Sequence, residues 1–192
     1  MSERYEIRLS GTGGQGVVLA GILLAEAAGL RPGQHVVQTV SYGPQVRGGM
    51  SSAELVVSSS EIDHPKPLLL DLLVPFAEEA CSEAAGMMKP RGVILIDPEL
   101  IRQAPEGWVA PVPLRRLARE ATGREQMMNI VAVGAVVALS SIADWLAVET
   151  AIRERIARGQ AEAFLKALQA GRQAGAEVRE RLRFEAAPSP ED

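Results

Sequence analysis

The chain has 192 residues, 47% of them hydrophobic and 23% charged, with a formal net charge of −4. That length fits one domain with a single core, and the acidic balance gives no support for nucleic-acid binding, which needs a basic face. The single cysteine, Cys81, excludes an internal disulfide framework and an iron–sulfur cluster ligated by this chain alone, and the two histidines, His35 and His64, argue against a zinc site.

Met1 to Tyr5 leads straight into a charged, alternating segment, which does not read as a signal peptide. Tyr5, Ile7 and Leu9 alternate with Glu6, Arg8 and Ser10 and predict a first strand. The glycine-rich turn Gly11-Thr12-Gly13-Gly14-Gln15-Gly16 follows. Val17 to Gly29 then reads as a helix buried on most sides, ended by Gly29, Pro32 and Gly33. A second strand runs from about His35 to Val40, and a loop with Pro44 and three glycines from Ser41 to Met50. Ser52 to Ser58 and Leu70 to Pro75 are further strands, and Phe76 to Met88 is a helix rich in Ala, Glu and Met. Pro90 and Gly92 turn the chain into a strand at Val93 to Ile96. A strand at Trp108 to Val112 and a short basic helix at Leu114 to Ala121, stopped near Gly123, come next.

Asn129 opens an apolar helix from Ile130 to Ala143. The stretch Ile130 to Val148 is broken by Ser140, Ser141 and Asp144, so it reads as a buried helix rather than a membrane span. A cytoplasmic protein without membrane association is expected. Trp145 to Arg158 and Gln160 to Ala170 are two helical pieces with Gly159 as the break. Glu154, Arg158, Glu162 and Lys166, spaced by four with alternating sign, form a solvated face. The tail from Glu185 to Asp192 carries two prolines and is expected to be disordered, leaving 1–184 as one domain.

Strands alternating with helices predict an α/β fold, a three-layer Rossmann-like domain with a largely parallel sheet. Ligands of such sheets lie at the carboxyl ends of the strands, so the glycine turn and the Ser41–Met50 loop should open on the same edge. Gly11, Gly13 and Gly16 match G-x-G-x-x-G, a spacing that is weak alone and is also met in tight turns without a ligand. A nicotinamide cofactor would call for an acidic residue about 20 positions onward. No Asp or Glu occurs from Ala27 to Ala53, which argues against NAD. Arg31 or Arg47 facing a phosphorylated ribose keeps NADP and coenzyme A open. Gln15 adds an amide at the helix start that can donate or accept.

The loop Ser41-Tyr42-Gly43-Pro44-Gln45-Val46-Arg47-Gly48-Gly49 is more specific. Together with GTGGQGVVLAG, Ile62 and Pro65 ahead of Asp71-Leu72-Leu73, and Asn129 to Gly134 in MNIVAVG, it resembles the gamma subunit or gamma domain of the 2-oxoacid:ferredoxin oxidoreductases. The likeness runs from about Glu6 to Gly171, and the loop is most similar to the 2-oxoglutarate and branched-chain 2-oxoacid branches.

The resemblance implies a complex that oxidatively decarboxylates a 2-oxoacid to an acyl-coenzyme A and reduces ferredoxin. It implies alpha and beta partners and, in many members, a delta partner. Thiamine diphosphate, Mg and the iron–sulfur clusters would lie on those partners only, because this chain has no GDG segment and one cysteine. No catalytic residue and no metal ligand is then expected here, and the lone chain should be inactive. Its role would be to complete the assembly and help bind coenzyme A. The N–H groups of Gly13, Gly14, Gln15 and Gly16 suit a phosphate at a helix start. Asn129 is a further candidate, as a ligand contact or only a helix N-cap. Tyr42 and Arg47 are candidates for a phosphate or partner contact. Cys81 reads as a packing residue, since its helix is acidic, and Trp108 and Trp145 as core or interface residues. Two other readings stay open: a free-standing NADP-binding oxidoreductase, and a purely structural subunit whose turn meets no ligand.

Overall fold

The structure, a computed structural model, describes residues 4–43, 49–103 and 106–185. Six strands form one sheet in the order β2-β3-β1-β4-β5-β6. They are β1 (Arg4–Thr12), β2 (His35–Tyr42), β3 (Met50–Ser58), β4 (Leu70–Pro75), β5 (Met88–Ile96) and β6 (Trp108–Pro111). β1, β4, β5 and β6 are mutually parallel, and β3 alone is reversed, antiparallel to both β1 and β2. The expected largely parallel α/β sheet is therefore present, with a β2–β3 hairpin built into one side.

The helices are α1 (Val17–Gly29), α2 (Glu78–Ala84), α3 (Leu114–Thr122), α4 (Met128–Ser140), α5 (Trp145–Arg155) and α6 (Arg158–Glu185). Alternation along the strands sorts the two faces, except at Leu70, which an irregularity between Leu70 and Leu72 turns to the opposite side. Ile7, Leu9, Ala53, Leu55, Val57, Leu72 and Val74 join the main core with residues of α1, α3, α4, α5 and α6. Leu70, Leu73, Ile94 and Ile96 face the other way and pack with Cys81 and Ala84 of α2. Cys81 is fully packed there, and burial together with Glu78 pushes its thiol pKa up, the opposite of a reactive thiolate.

Several expected boundaries move. The helix after β4 stops at Ala84 and gives way to a 3₁₀ turn, and β5 begins at Met88, so Pro90 and Gly92 lie inside the strand rather than before it. The break between the last two helices is present but lies at Ile156 and Ala157 rather than at Gly159, which is the second residue of the 28-residue α6 and faces open space. The expected solvated face holds in part as an ion pair between Lys166 and Glu162 at 2.8 Å. Residues 186–192, most of the tail expected to be disordered, lie outside the described residues. No helix among the described residues is long and apolar enough to cross a membrane.

α4 and α6 meet through small residues. A β-carbon on Gly134 would overlap the carbonyl of Leu168, and one on Gly171 would overlap the carbonyl of Val131. The backbones thus touch directly, which is what Gly134 of the MNIVAVG stretch supplies.

Candidate functional site

β1 and β2 run the same way, so the glycine turn after β1 and the hairpin loop after β2 do meet on one edge. The contact is explicit: the Gly13 N–H donates to the Gly49 carbonyl at 3.1 Å, while the Gly43 N–H closes the hairpin itself by donating to the Met50 carbonyl at 2.6 Å. A cleft of about 380 Å³ lies between turn and hairpin, lined by Gly13, Gly14, Gly16, Val17, Val18 and Tyr42 among others. Tyr42 is 73% exposed and stands over it. Arg47 lies outside the described residues.

The turn itself is left-handed twice, with φ of 93° at Gly14 and 72° at Gly16, a conformation that costs any residue with a β-carbon. Gly16 is the N-cap of α1 and no side chain caps that helix. A helix start leaves its first N–H groups without intrahelical partners. Among the described residues, no acceptor meets the N–H groups of Gly14, Gly16, Val17 or Val18. Of the four donors expected from the sequence, those of Gly14 and Gly16 meet no acceptor among the described residues. Gly13 is tied to Gly49, and the Gln15 N–H reaches the Thr12 carbonyl at 3.3 Å. The valine donors were missed by reading only the glycines, although the rule for helix starts applies to them equally.

Gln15 does not present its amide to the cleft. Its Oε1 accepts from the Thr12 N–H at 2.7 Å, and its Nε2 donates to the Phe76 carbonyl at 2.9 Å. Phe76 follows the end of β4. α1 leaves β1 on one face of the sheet and α2 leaves β4 on the other, so the gap between β1 and β4 is the topological switch point where open α/β sheets ordinarily take ligands. Here the Gln15 side chain bridges that gap, and the open cleft lies on the hairpin side of β1 instead.

Asn129 is buried, 5% exposed, and its Nδ2 donates to the Gly16 carbonyl at 3.1 Å. It is not the N-cap of α4, which is Met127. The capping expectation is therefore corrected: the side chain reaches across to the turn rather than back to its own helix. Arg31, offered above for a phosphorylated ribose, sits past the far end of α1, about 20 Å along the helix from the turn. It donates to the Ser141 carbonyl at 3.1 Å and pairs with Asp144 at 2.8 Å, so only Arg47 retains that reading.

A second cleft of about 290 Å³ lies on the α2 face of the hairpin base, lined by Arg8, Ser10, Glu54 and Glu83 among others. Arg8 and Glu54 form a largely buried ion pair across β1 and β3, with Arg8 Nε 2.9 Å and Nη2 2.5 Å from Glu54 Oε1. Among the described residues there is no group of three or more His, Cys, Asp or Glu side chains placed to hold a metal ion. The turn offers neutral backbone donors to an anion, and the side-chain hydroxyls that line the cleft among the described residues are those of Tyr42 and Ser51.

The family model for pyruvate ferredoxin/flavodoxin oxidoreductase matches residues 6–174. The chain is 40% identical over 178 residues to the 2-oxoglutarate synthase subunit KorC of Methanothermobacter thermautotrophicus, covering 88% of this chain and 94% of that one. It superposes on the crystal structure of a keto/oxoacid ferredoxin oxidoreductase gamma subunit from Geobacter sulfurreducens with a TM-score of 0.81 at 38% identity, covering 91% and 98% of the two chains. The fold also occurs within the 2-oxoglutarate:ferredoxin oxidoreductase of Magnetococcus marinus, solved with 2-oxoglutarate, coenzyme A and succinyl-CoA bound. That TM-score is 0.79 at 20% identity, over 94% of this chain and 32% of that one. With family model, relatives and fold in agreement, the chain belongs to the pyruvate ferredoxin/flavodoxin oxidoreductase family, as a gamma-type subunit of the 2-oxoacid:ferredoxin oxidoreductases.

Proposed function

We propose that this chain is the gamma subunit of a complex that oxidatively decarboxylates 2-oxoglutarate, transfers the acyl group to coenzyme A and reduces ferredoxin, and that its own part is to hold a phosphate of coenzyme A. The choice of 2-oxoacid follows the names of the KorC relatives, which are 35–40% identical to it. Thiamine diphosphate, Mg and the iron–sulfur clusters belong on alpha, beta and delta-type partners, since one cysteine cannot ligate a cluster alone.

The observation that carries the coenzyme A reading is that Gly14, Gly16, Val17 and Val18 line the cleft and that, among the described residues, no acceptor meets their N–H groups. These donors and the positive end of α1 favour an anion without supplying bond-making groups. Gly13, Gln15 and Asn129 belong to the site by shaping it, and Tyr42 by lining the cleft from the hairpin. The contribution is positioning of the acyl acceptor. The two internally bonded N–H groups, of Gly13 and Gln15, favour the rival reading of a turn that serves assembly alone.

The test is reconstitution. The chain purified with its partners should reduce viologen with 2-oxoglutarate in a coenzyme A-dependent way, and the lone chain should show no turnover. Activity from the lone chain would reject the division of labour. Gly14→Val places a β-branched side chain in the cleft at a left-handed φ of 93°, so it both crowds the cradle and strains its backbone. It should raise the KM for coenzyme A by about tenfold or more, the factor that corresponds to at least one lost charge-assisted hydrogen bond. An unchanged KM leaves the structural reading standing.

A further inference from the structure

The surroundings of Gln15 in the GTGGQG turn define how it shapes the site. Its two amide bonds join three pieces of backbone: Thr12 at the end of β1, the turn itself, and Phe76 just beyond β4. Gly11 is part of the same device. A β-carbon there would overlap Gln15 Oε1 and come within 2.9 Å of the Phe76 β-carbon, so the glycine leaves room for the amide. On the other flank, Asn129 holds the Gly16 carbonyl at 3.1 Å, and that carbonyl also accepts from the Ala20 N–H at 3.0 Å.

We propose that Gln15 is a positioning residue: it clasps β1 to the β4–α2 junction and so holds the turn in the one conformation that points the Gly14, Gly16, Val17 and Val18 N–H groups into the cleft. This rests on the phosphate-cradle reading above. The physical basis is preorganisation. A glycine-rich turn is the most mobile kind of backbone, and an anion that has to order it loses affinity to that ordering. The side chain closes the gap between β1 and β4, so a ligand approaches from the hairpin side only and does not touch the amide. Gln15 therefore acts on the ligand through the backbone.

The test uses the assembled complex. Gln15→Met keeps the length of the side chain and removes both hydrogen bonds. The KM for coenzyme A should rise by about tenfold, as expected when a binding loop is no longer preorganised, while kcat at saturating coenzyme A and the KM for the 2-oxoacid stay close to wild type. Competitive inhibition by ADP, which carries a pyrophosphate without the thiol arm, should weaken by a similar factor. Inhibition by pantetheine, which carries no phosphate, should not change. Gln15→Glu keeps the acceptor for Thr12 but loses the donor to Phe76, and should fall short of wild type for coenzyme A and ADP alike. If Gly14→Val raises the coenzyme A KM and Gln15→Met does not, the clasp is refuted and the cradle stands. If neither variant moves it, the cradle has failed and the clasp with it. A Gln15→Met complex that loses pantetheine and ADP inhibition equally, or loses kcat and 2-oxoacid KM together, has a general folding defect and refutes a specific positioning role.

Discussion

The amide nitrogen of Asn129 stands 3.1 Å from the Gly16 carbonyl and occupies the place a β-carbon on Gly16 would take. The two residues are 113 positions apart, and the contact pins the start of α1 to the first turn of α4. Gly16 is thus required twice, once by its left-handed φ of 72° and once by its neighbour. Gly16→Ala should destabilise the chain by about 2–3 kcal/mol, combining left-handed strain with overlap. Urea unfolding of the purified chain measures it. Adding Asn129→Ala should recover the overlap part and leave the strain. A double variant no more stable than Gly16→Ala would show that the two residues do not collide.

The α4–α6 contact makes a second prediction. Gly171→Ala forces two backbones apart at Val131 and should cost about 3 kcal/mol, the upper end for overpacking. Gly159→Ala, in the same helix but facing nothing within 4 Å, should instead raise stability by about half a kcal/mol. Thermal melts of the two variants should move in opposite directions.

The Arg8–Glu54 pair has side chains 18% and 7% exposed. Thr39 Oγ1 donates to the other Glu54 oxygen at 3.1 Å. Arg8→Ala leaves a buried carboxylate without its counter-charge and should cost about 3–5 kcal/mol, whereas replacing both partners by apolar residues should recover most of that loss. A double-mutant cycle by denaturant unfolding decides it, and additive losses would rule out direct coupling.

Tyr5 gives a prediction at alkaline pH. Burial, reinforced by Asp71, raises the Tyr5 hydroxyl pKa well above the ordinary tyrosine value, with Arg179 opposing. The folded chain therefore holds this proton more tightly than the unfolded one. The resulting stability is fully present below the unfolded pKa of about 10 and is lost as pH rises above it. Tyr5→Phe should flatten the alkaline limb of the stability profile above about pH 10, read from denaturant midpoints. An equally steep limb in the variant would assign the alkaline loss to other groups.

Much of this protein is legible locally. Alternation in Tyr5–Ser10, the small apolar run Val17–Gly29 and the strand Leu70–Pro75 carry their periods in neighbouring residues, so those elements and the largely parallel sheet follow from sequence. The loop with Tyr42 is likewise placed opposite the glycine turn by strand direction alone. The glycines announce a helix start with free N–H groups, but not which of those groups stay free.

That choice was made by contacts far apart in the chain. Gln15 reads as a ligand-facing amide until Phe76, 61 residues on, takes its donor. Asn129 reads as a cap until it meets Gly16. Arg31 reads as a phosphate partner until α1 carries it to the opposite end of the sheet. Periodicity and turn chemistry depend on neighbours within a few residues, and the sequence determines them by itself. Where a polar side chain finds its partner depends on which backbones the packed sheet brings within 3 Å, and only the tertiary structure decides that.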